Sequence, residues 1–388
     1  MKRAFWSVCV GIGLVAMLSG CWDTKGIQDT NYVATIGCDF VDDKYVIVAQ
    51  LLDFTFVAKQ EGGKSSQNAI VWTGSAKGDT VIDAMNALYE TSQQRMYWGQ
   101  VSAFVFTERA IAHGIDEFKE GFIRFREIRY TQWVFGTKEP LDRVLSVLPF
   151  FSQSPLNSIL QRPVENYQQR SFVRPLQLYE VIAKVREPGA TLLLPSLAIS
   201  EDAWKKNNTN DPKLYIDGVF AISHYKPPVW MNDKDLGGLR WFDPHTLRAK
   251  ITVEHDGKPG ATLSAYEPKA DWRFEQQGLE DGIAYSVHIK ASFILFELLQ
   301  PLGKEQLERA ARQKIAEEIK HTFQFGLQKQ LDLYQLNHRL YHGQFKLWKE
   351  LTHAGQNQVE ELTLKSVDVS IRMKNSGMYK WKGDGSTY

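Results

Sequence analysis

Apolar and polar positions alternate in different ways along the chain, and the first half shows mainly the pattern of strands. The segments 27–36 and 45–52 are rich in β-branched and aromatic residues, which favour strands. The pair Asp42-Asp43 between them predicts a hairpin turn. The run VSAFVF at 101–106 has the continuous apolar character of a buried strand. The chain is therefore expected to begin its folded part with a sheet.

Helices are predicted between these strands, where apolar residues recur every three or four positions. Asp79 is expected to cap a helix that carries Val81, Met85 and Leu88 on one face. A second helix is predicted over 109–124. Two further helices are expected to have a proline in the first turn, Pro140 in one and Pro175 in the other. The alternation indicates a mixed first domain.

The second half contains the longest helical pattern and the most regular strand pattern. After Gly303, apolar residues recur at intervals of four, at Leu307, Ala311, Ile315, Ile319 and Phe323. The segment 362–373 alternates apolar and polar residues, with one slip near Ser366 that predicts a β-bulge. A long helix beside a one-sided strand predicts a sheet backed by that helix. The fold class expected for the chain is α+β.

Composition places the boundaries between segments. Residues 200–211 are polar and turn-forming, so a domain boundary is expected there. In chain order, the predicted parts are a signal peptide at 1–20, an N-terminal mixed α/β domain at 21–200, a small strand-rich middle domain at 211–275 and a C-terminal α+β domain at 276–377. The content of 43% hydrophobic and 12% aromatic residues is typical of a packed protein.

The first 21 residues predict export and lipid anchoring. Basic residues at 2–3 precede an apolar run at 4–18, and Leu18-Ser19-Gly20 stands directly before Cys21. This is the bacterial lipobox, in which the cysteine receives a diacylglyceryl group and an N-acyl group and the preceding peptide is removed. The alternative is an ordinary signal peptide that has a cysteine at its cleavage point. Cys21 is the predicted lipidation site, and the next two residues, Trp22 and Asp23, would lie at the lipid headgroups.

Charge and cysteine content limit the partners further. Lys and Arg number 46 against 45 Asp and Glu, and loss of Lys2 and Arg3 with the signal leaves a nearly neutral chain. Such a balance gives no reason to expect nucleic acid as a partner. Once Cys9 is removed and Cys21 is acylated, only Cys38 remains, so no intramolecular disulfide is expected. Cys38 is interpreted as a buried thiol.

The motifs that carry chemistry are weak. His338 and His342 are four residues apart on a predicted helix, but no carboxylate follows them at ligand spacing, so an exposed polar face is expected. Gly62 to Ser65 resembles the end of a phosphate-binding loop, yet Ala58 stands where the first glycine is required. The aromatic residues Tyr97, Trp98, Phe104 and Phe106 are expected in the core. No catalytic residue, metal site or cofactor is predicted, and the chain is not expected to be an enzyme.

Several segments, in the same order along the chain, resemble a known family. Gly20-Cys21-Trp22-Asp23, followed by Ile36-Gly37-Cys38-Asp39, is similar to the opening of the Ger(x)C spore-germination lipoproteins. Further segments that resemble the family are 97–100, 108–115, 124–129, 193–197, 236–241 and 367–377. The resemblance therefore extends over nearly all of the mature chain.

The resemblance implies a C-type subunit of a germinant receptor. Such a subunit would be lipid-anchored on the outer face of the inner spore membrane and would act with integral-membrane A-type and B-type subunits. It would have three mixed α/β domains and would serve assembly or signalling. The alternative from another class is a lipid-anchored protein that captures a nutrient and passes it to a membrane partner. Capture proteins usually have two similar lobes, whereas the segments here are unlike each other.

Overall fold

The fold of the 388-residue chain is given by a computed structural model, which describes residues 29–53, 70–223, 226–276, 283–351 and 362–375, together with Trp6. Helices and mixed sheets occur together, so the predicted α+β class is confirmed. Within these ranges, no helix combines the length and hydropathy needed to cross a bilayer.

The first part of the chain forms a large mixed sheet. The strands, in chain order, are β1 (Thr30–Val41), β2 (Lys44–Leu52), β3 (Trp72–Gly78), β4 (Arg95–Tyr97), β5 (Ala103–Thr107), β6 (Trp133–Thr137), β7 (Leu176–Gln177), β8 (Thr191–Ser200), β9 (Lys205–Lys206), β10 (Thr209–Asn210), β11 (Lys213–Ser223) and β12 (Lys226–Asn232). The order across the sheet is β12-β11-β8-β6-β5-β1-β2-β3, with β4 paired to β1 and β7 to β6. Strands β9 and β10 form a separate hairpin.

The centre of this sheet follows from the sequence. Strand β1 pairs antiparallel with β2 and parallel with β5. The predicted turn between β1 and β2 is confirmed, and both Asp42 and Asp43 adopt the positive φ that this short connection requires. The central strand β5 is buried along its whole length, as its continuous apolar run predicts.

Helices cover the large sheet, and the helix predicted over 109–124 is divided into two. They are α1 (Val81–Thr91), α2 (Glu108–His113), α3 (Ile115–Ile123), α4 (Leu141–Ser146), α5 (Pro163–Gln169) and α6 (Leu178–Arg186). Helix α1 is capped by Thr80, whose hydroxyl accepts from the Asp83 amide, and not by the predicted Asp79. Gly114, at φ 128°, divides the predicted helix at 109–124 into α2 and α3. Pro175 precedes β7 and not a helix.

The second sheet is antiparallel except at its last pairing. Its strands are β13 (Ala249–His255), β14 (Lys258–Gln276), β15 (Ile283–Leu298) and β16 (Leu362–Asn375), in that spatial order. The slip predicted near Ser366 is confirmed, since the register of β15 and β16 shifts between Leu364 and Ser366. The three helices of this part are α7 (Lys304–Gln328), α8 (Leu336–Gly343) and α9 (Phe345–Leu351).

The long helix α7 lies against this second sheet. Its buried positions include all of the apolar residues that the four-residue spacing predicts: Leu307, Ala311, Ile315, Ile319 and Phe323. They share one core with the strands of the sheet and with Trp241. The expected sheet backed by a long helix is therefore present.

Within its described residues, the predicted middle segment, 211–275, has no sheet of its own. Strands β11 and β12 extend the large sheet through β8, whereas β13 and β14 belong to the second sheet. A 310 helix at Asp233–Trp241 lies between the two pairs of strands. The division into three domains stays a prediction, but the two sheets do not follow its boundaries.

Side chains that were expected in the core are buried. Trp98, Phe104 and Phe106 are each at most 1% exposed, and Tyr97 is half-buried. The Cys38 thiol is fully buried in the same core, and this burial, together with the charge of Asp39, raises its pKa. The prediction of a buried thiol is confirmed.

Candidate functional site

The predicted lipidation site lies outside the described residues. Cys21 and its neighbours Trp22 and Asp23 precede Asp29, where the continuous description of the chain begins. Gly62 to Ser65 also lies outside it. The anchoring of the chain through Cys21 therefore stays a prediction.

The family-like segment 36–39 ends in a buried carboxylate that joins two elements. The Thr107 hydroxyl donates to Oδ1 of Asp39 at 2.5 Å, and the Arg109 guanidinium donates to both oxygens at 3.1 and 2.5 Å. The Phe40 amide donates to the same carboxylate at 2.8 Å. Burial would raise the pKa of Asp39, but the hydrogen bonds and the charge of Arg109 outweigh burial and lower the pKa. Asp39 thus fixes the end of β1 to the start of α2.

Two other family-like segments meet through one carboxylate. Glu127, in the segment 124–129, accepts from the Trp98 amide at 3.1 Å and from Arg95 at 3.2 Å. The Trp98 indole N–H donates to the Tyr89 hydroxyl at 2.8 Å. These contacts hold the loop that contains residues 97–100 over the core.

The segment 236–241 attaches the 310 helix to α7. Arg240 donates to both carboxylate oxygens of Glu318 at 2.7 and 2.8 Å, and the Trp241 indole N–H donates to the same group at 2.9 Å. The Gly238 amide donates to the Thr322 hydroxyl at 3.0 Å. A Cβ on Gly238 would lie 2.2 Å from the Tyr334 hydroxyl and 2.8 Å from the Glu318 carbonyl oxygen, so glycine is required. The four family-like segments 36–39, 97–100, 124–129 and 236–241 therefore have an architectural role.

A cleft of about 790 Å³ lies where the large sheet meets the second half of the chain. One wall comes from residues 172–193, and the other from residues 239–245 and 333–342. The lining combines apolar rings such as Phe172, Phe242 and Tyr334 with charged and titratable groups: Arg174, Glu180, Lys184, Asp243, His245, His338, Arg339 and His342. The volume lies in the range of small-molecule sites, whereas the lining carries more charged groups than such sites usually have.

Hydrogen bonds also connect residues 167–171 with residues 243–248, next to the segments that line the cleft. The Tyr167 hydroxyl donates to Asp243 at 2.6 Å, and burial followed by the charge of Asp243 raises the pKa of Tyr167. The Ser171 hydroxyl accepts from the Leu247 and Arg248 amides at 3.0 and 3.1 Å. These contacts hold the segment before Phe172 against the segment that follows Asp243.

Two histidines and one carboxylate form a cluster beside this cleft. Nε2 of His338 lies 3.1 Å from Oε2 of Glu187, and Nε2 of His342 lies 3.0 Å from the same oxygen. The ring centroids of the histidines are 4.5 Å apart, with an interplanar angle of 85°. The expected exposed polar face holds only for His342, since the side chain of His338 is 23% exposed against 58% for His342.

The cluster shifts the pKa values of its members. The hydrogen bond with His342 is the main reason that the pKa of Glu187 is lowered. Burial lowers the pKa of His338, although the charge of Glu187 opposes this effect. Burial thus favours the neutral form of His338.

Sequence reasoning singled out two of the three residues of this cluster, His338 and His342. The spacing of His338 and His342 puts both rings on one face of α8. Glu187 follows α6, far earlier in the chain, and its position relative to α8 depends on tertiary structure. No local pattern marks Glu187 as a partner of these histidines.

Comparison with known proteins agrees with the resemblance noted in the sequence. The family model for the spore germination protein N-terminal domain matches residues 23–199, and that for the spore germination B3/GerAC-like C-terminal domain matches residues 217–377. Spore germination protein KC of Bacillus subtilis (strain 168) is 22% identical over 358 residues, which are 87% of each chain. Spore germination protein A3 of the same strain is 24% identical over 275 residues, 69% of this chain and 67% of that one.

A solved structure supports the fold. The crystal structure of the GerBC protein aligns with a TM-score of 0.52 at 14% identity, over 88% of this chain and 97% of that chain. The two family models together extend over nearly all of the sequence after residue 22. The chain therefore belongs to the Ger(x)C family of spore germination proteins.

Proposed function

We propose that this chain is a non-enzymatic, lipid-anchored subunit of a spore nutrient-germinant receptor. It would be held on the outer face of the inner spore membrane by acyl groups on Cys21. There it would support assembly or signalling of the receptor with its integral-membrane A-type and B-type subunits. The observation that carries the proposal is the match of the two family domains to residues 23–199 and 217–377.

The contacts of the family-like segments support a role through binding surfaces. Elements of the fold are joined by hydrogen bonds to three carboxylates, those of Asp39, Glu127 and Glu318. Such side chains maintain a shape that partners can recognise. A tether also raises the local concentration of the chain for membrane partners, so a weak interface is occupied.

The anchoring step is tested by replacing the acylated cysteine. Cys21→Ala is expected to leave the protein uncut or soluble and to abolish incorporation of labelled palmitate, because the thiol is the acceptor. Cys38→Ala is the matched control, since that thiol is fully buried and should not affect lipidation. Membrane fractionation and palmitate labelling measure the result. Normal palmitate incorporation by the Cys21→Ala protein, or membrane retention of a Cys21→Ala protein that has been cut, would contradict the anchor.

The receptor role is tested by deletion in the spore-forming host. Loss of this chain should abolish the response to one set of nutrients and lower the amounts of its two membrane partners. Germination by routes that bypass receptors should be unchanged, and restoring the gene should restore the response. Nutrient-triggered germination and immunoblots of the partners provide the measurements.

The cleft favours a second candidate function, nutrient capture. A volume of about 790 Å³, lined by apolar rings and by eight charged or titratable side chains, can hold a small polar molecule. If the deletion leaves the partners assembled and the purified protein binds a nutrient in calorimetry, capture replaces assembly or signalling as the function.

A further inference from the structure

The cluster beside the cleft joins parts of the chain that belong to different family domains. Glu187 is the C-terminal cap residue of α6 and lies within the matched N-terminal domain. His338 and His342 lie on α8, within the matched C-terminal domain. Gly189, at φ 70°, brings the turn after Glu187 close to α8, because a Cβ on it would lie 3.2 Å from Asn337. The two elements are therefore held in close contact at this point.

We propose that Glu187, His338 and His342 form a binding site for a divalent transition metal ion, with Zn²⁺ as the ion bound. Among the residues that the structure describes, these three side chains form a group of potential metal ligands whose ligand atoms lie close together. This inference does not depend on the proposed receptor function. It concerns a site at which one ion contacts both family domains.

The distances fit such a site. Ligand atoms bound tetrahedrally to Zn²⁺ at about 2.0–2.1 Å are roughly 3.3 Å apart. The carboxylate oxygen of Glu187 lies 3.1 and 3.0 Å from the two imidazole nitrogens, and the three ligand atoms lie within 4.8 Å of one another. Small rotations about the side-chain bonds would open the group enough to admit the ion. The i, i+4 spacing on α8 already directs both rings toward Glu187.

The chemistry of the donors also favours zinc. Two imidazole nitrogens and one carboxylate oxygen make a borderline donor set, which suits Zn²⁺ better than the all-oxygen preference of Ca²⁺ or Mg²⁺. Three protein ligands leave the fourth tetrahedral position open. Because His338 and His342 both line the 790 Å³ cleft, this fourth position faces a space that water or a ligand group can enter.

Binding of the ion would stabilise the junction of the two domains. Glu187 and His342 are 155 residues apart in the sequence, so one ion closes a long loop of the chain. A ligand that binds the folded state and not the unfolded chain raises the melting temperature, and the rise grows with the logarithm of the ligand concentration relative to Kd. The site therefore acts as a metal-dependent link between the walls of the cleft.

The test is a zinc titration of the detergent-solubilised mature protein after removal of metal with EDTA. Calorimetry should give one Zn²⁺ per chain with a Kd below about 1 μM, and zinc at 100-fold excess over Kd should raise Tm by about 3 °C or more. Glu187→Gln and His342→Ala should each weaken binding by at least about 100-fold and remove the shift in Tm. Co²⁺ in place of Zn²⁺ should give the visible absorption bands of a tetrahedral site in the wild type alone.

Matched controls separate ligand loss from loss of folding. His342 is largely exposed, so its replacement should leave the circular dichroism spectrum unchanged. His245→Ala removes another exposed histidine from the same cleft and should keep the wild-type affinity and stoichiometry. Absence of zinc binding by the wild type, or equal binding by Glu187→Gln, His342→Ala and the wild type, would overturn the proposal. The cluster would then be a hydrogen-bonded contact between the domains only.

Discussion

Glu318→Ala should lower the free energy of unfolding by about 3–5 kcal/mol, because it leaves the charge of Arg240 unpaired in a poorly hydrated site. The side chains of Arg240 and Glu318 are only 16% and 18% exposed. The same substitution removes the acceptor of the Trp241 indole N–H, whose residue is fully buried. Urea denaturation at pH 7 measures the change.

Two controls define the cause of that loss. Glu317→Ala removes an exposed carboxylate one position earlier on α7 and should change stability by less than about 0.5 kcal/mol. Replacing both Arg240 and Glu318 by leucine should restore much of the stability, since no buried charge is then left unpaired. A Glu318→Ala protein that is as stable as the Glu317→Ala protein would show that the ion pair of Arg240 and Glu318 contributes nothing to the free energy of unfolding.

Asp39→Ala should lower the free energy of unfolding by about 2–3 kcal/mol at neutral pH. The substitution removes a carboxylate that accepts hydrogen bonds from Thr107, Arg109 and the Phe40 amide. Chemical denaturation again gives the value. Asp43→Asn is the control, because this turn residue is exposed and asparagine tolerates its positive φ.

The effect of Asp39 should also depend on pH. Its pKa is lowered in the folded protein from the ordinary value of 3.8, so the folded state favours the ionised form. The resulting stabilisation is fully present above pH 3.8 or so and is lost as pH falls through the lower folded pKa. The difference in stability between wild type and Asp39→Ala should therefore shrink in acid. A difference that stays constant from pH 7 to pH 2.5 would mean that packing, and not charge, is responsible.

The elements that the sequence predicts best are those with long, regular patterns. The apolar spacing of α7 and the alternation of β16 both appear in the structure, including the bulge near Ser366. These patterns are reliable because each repeats over many residues and faces one core. The buried positions of Trp98 and Cys38 were also predicted, since large apolar runs rarely remain exposed.

The wrong predictions arose where local signals compete. Asp79 and Thr80 are both good N-cap residues, but the helix begins directly after Thr80, whose hydroxyl accepts from the Asp83 amide. Pro175 suits a first turn, but the backbone continues as β7. The helix begins at Leu178, where the Glu180 carboxylate accepts from the Gln177 amide at 3.0 Å. The carboxylate of Glu187 was missed for another reason, because its approach to α8 is set by the packing of distant segments.

The pairing of β11 with β8 has a consequence for fragments of this protein. A fragment that ends at Ser200 would leave β8 as an open edge, with the amide and carbonyl groups that face β11 unpaired. An open edge of this length, bordered by buried residues, invites pairing with other chains and aggregation. A fragment extended to Asn232 keeps both β11 and β12, and so ends the sheet as the full chain does. Expression of the N-terminal half is therefore better guided by the sheet than by the composition of residues 200–211.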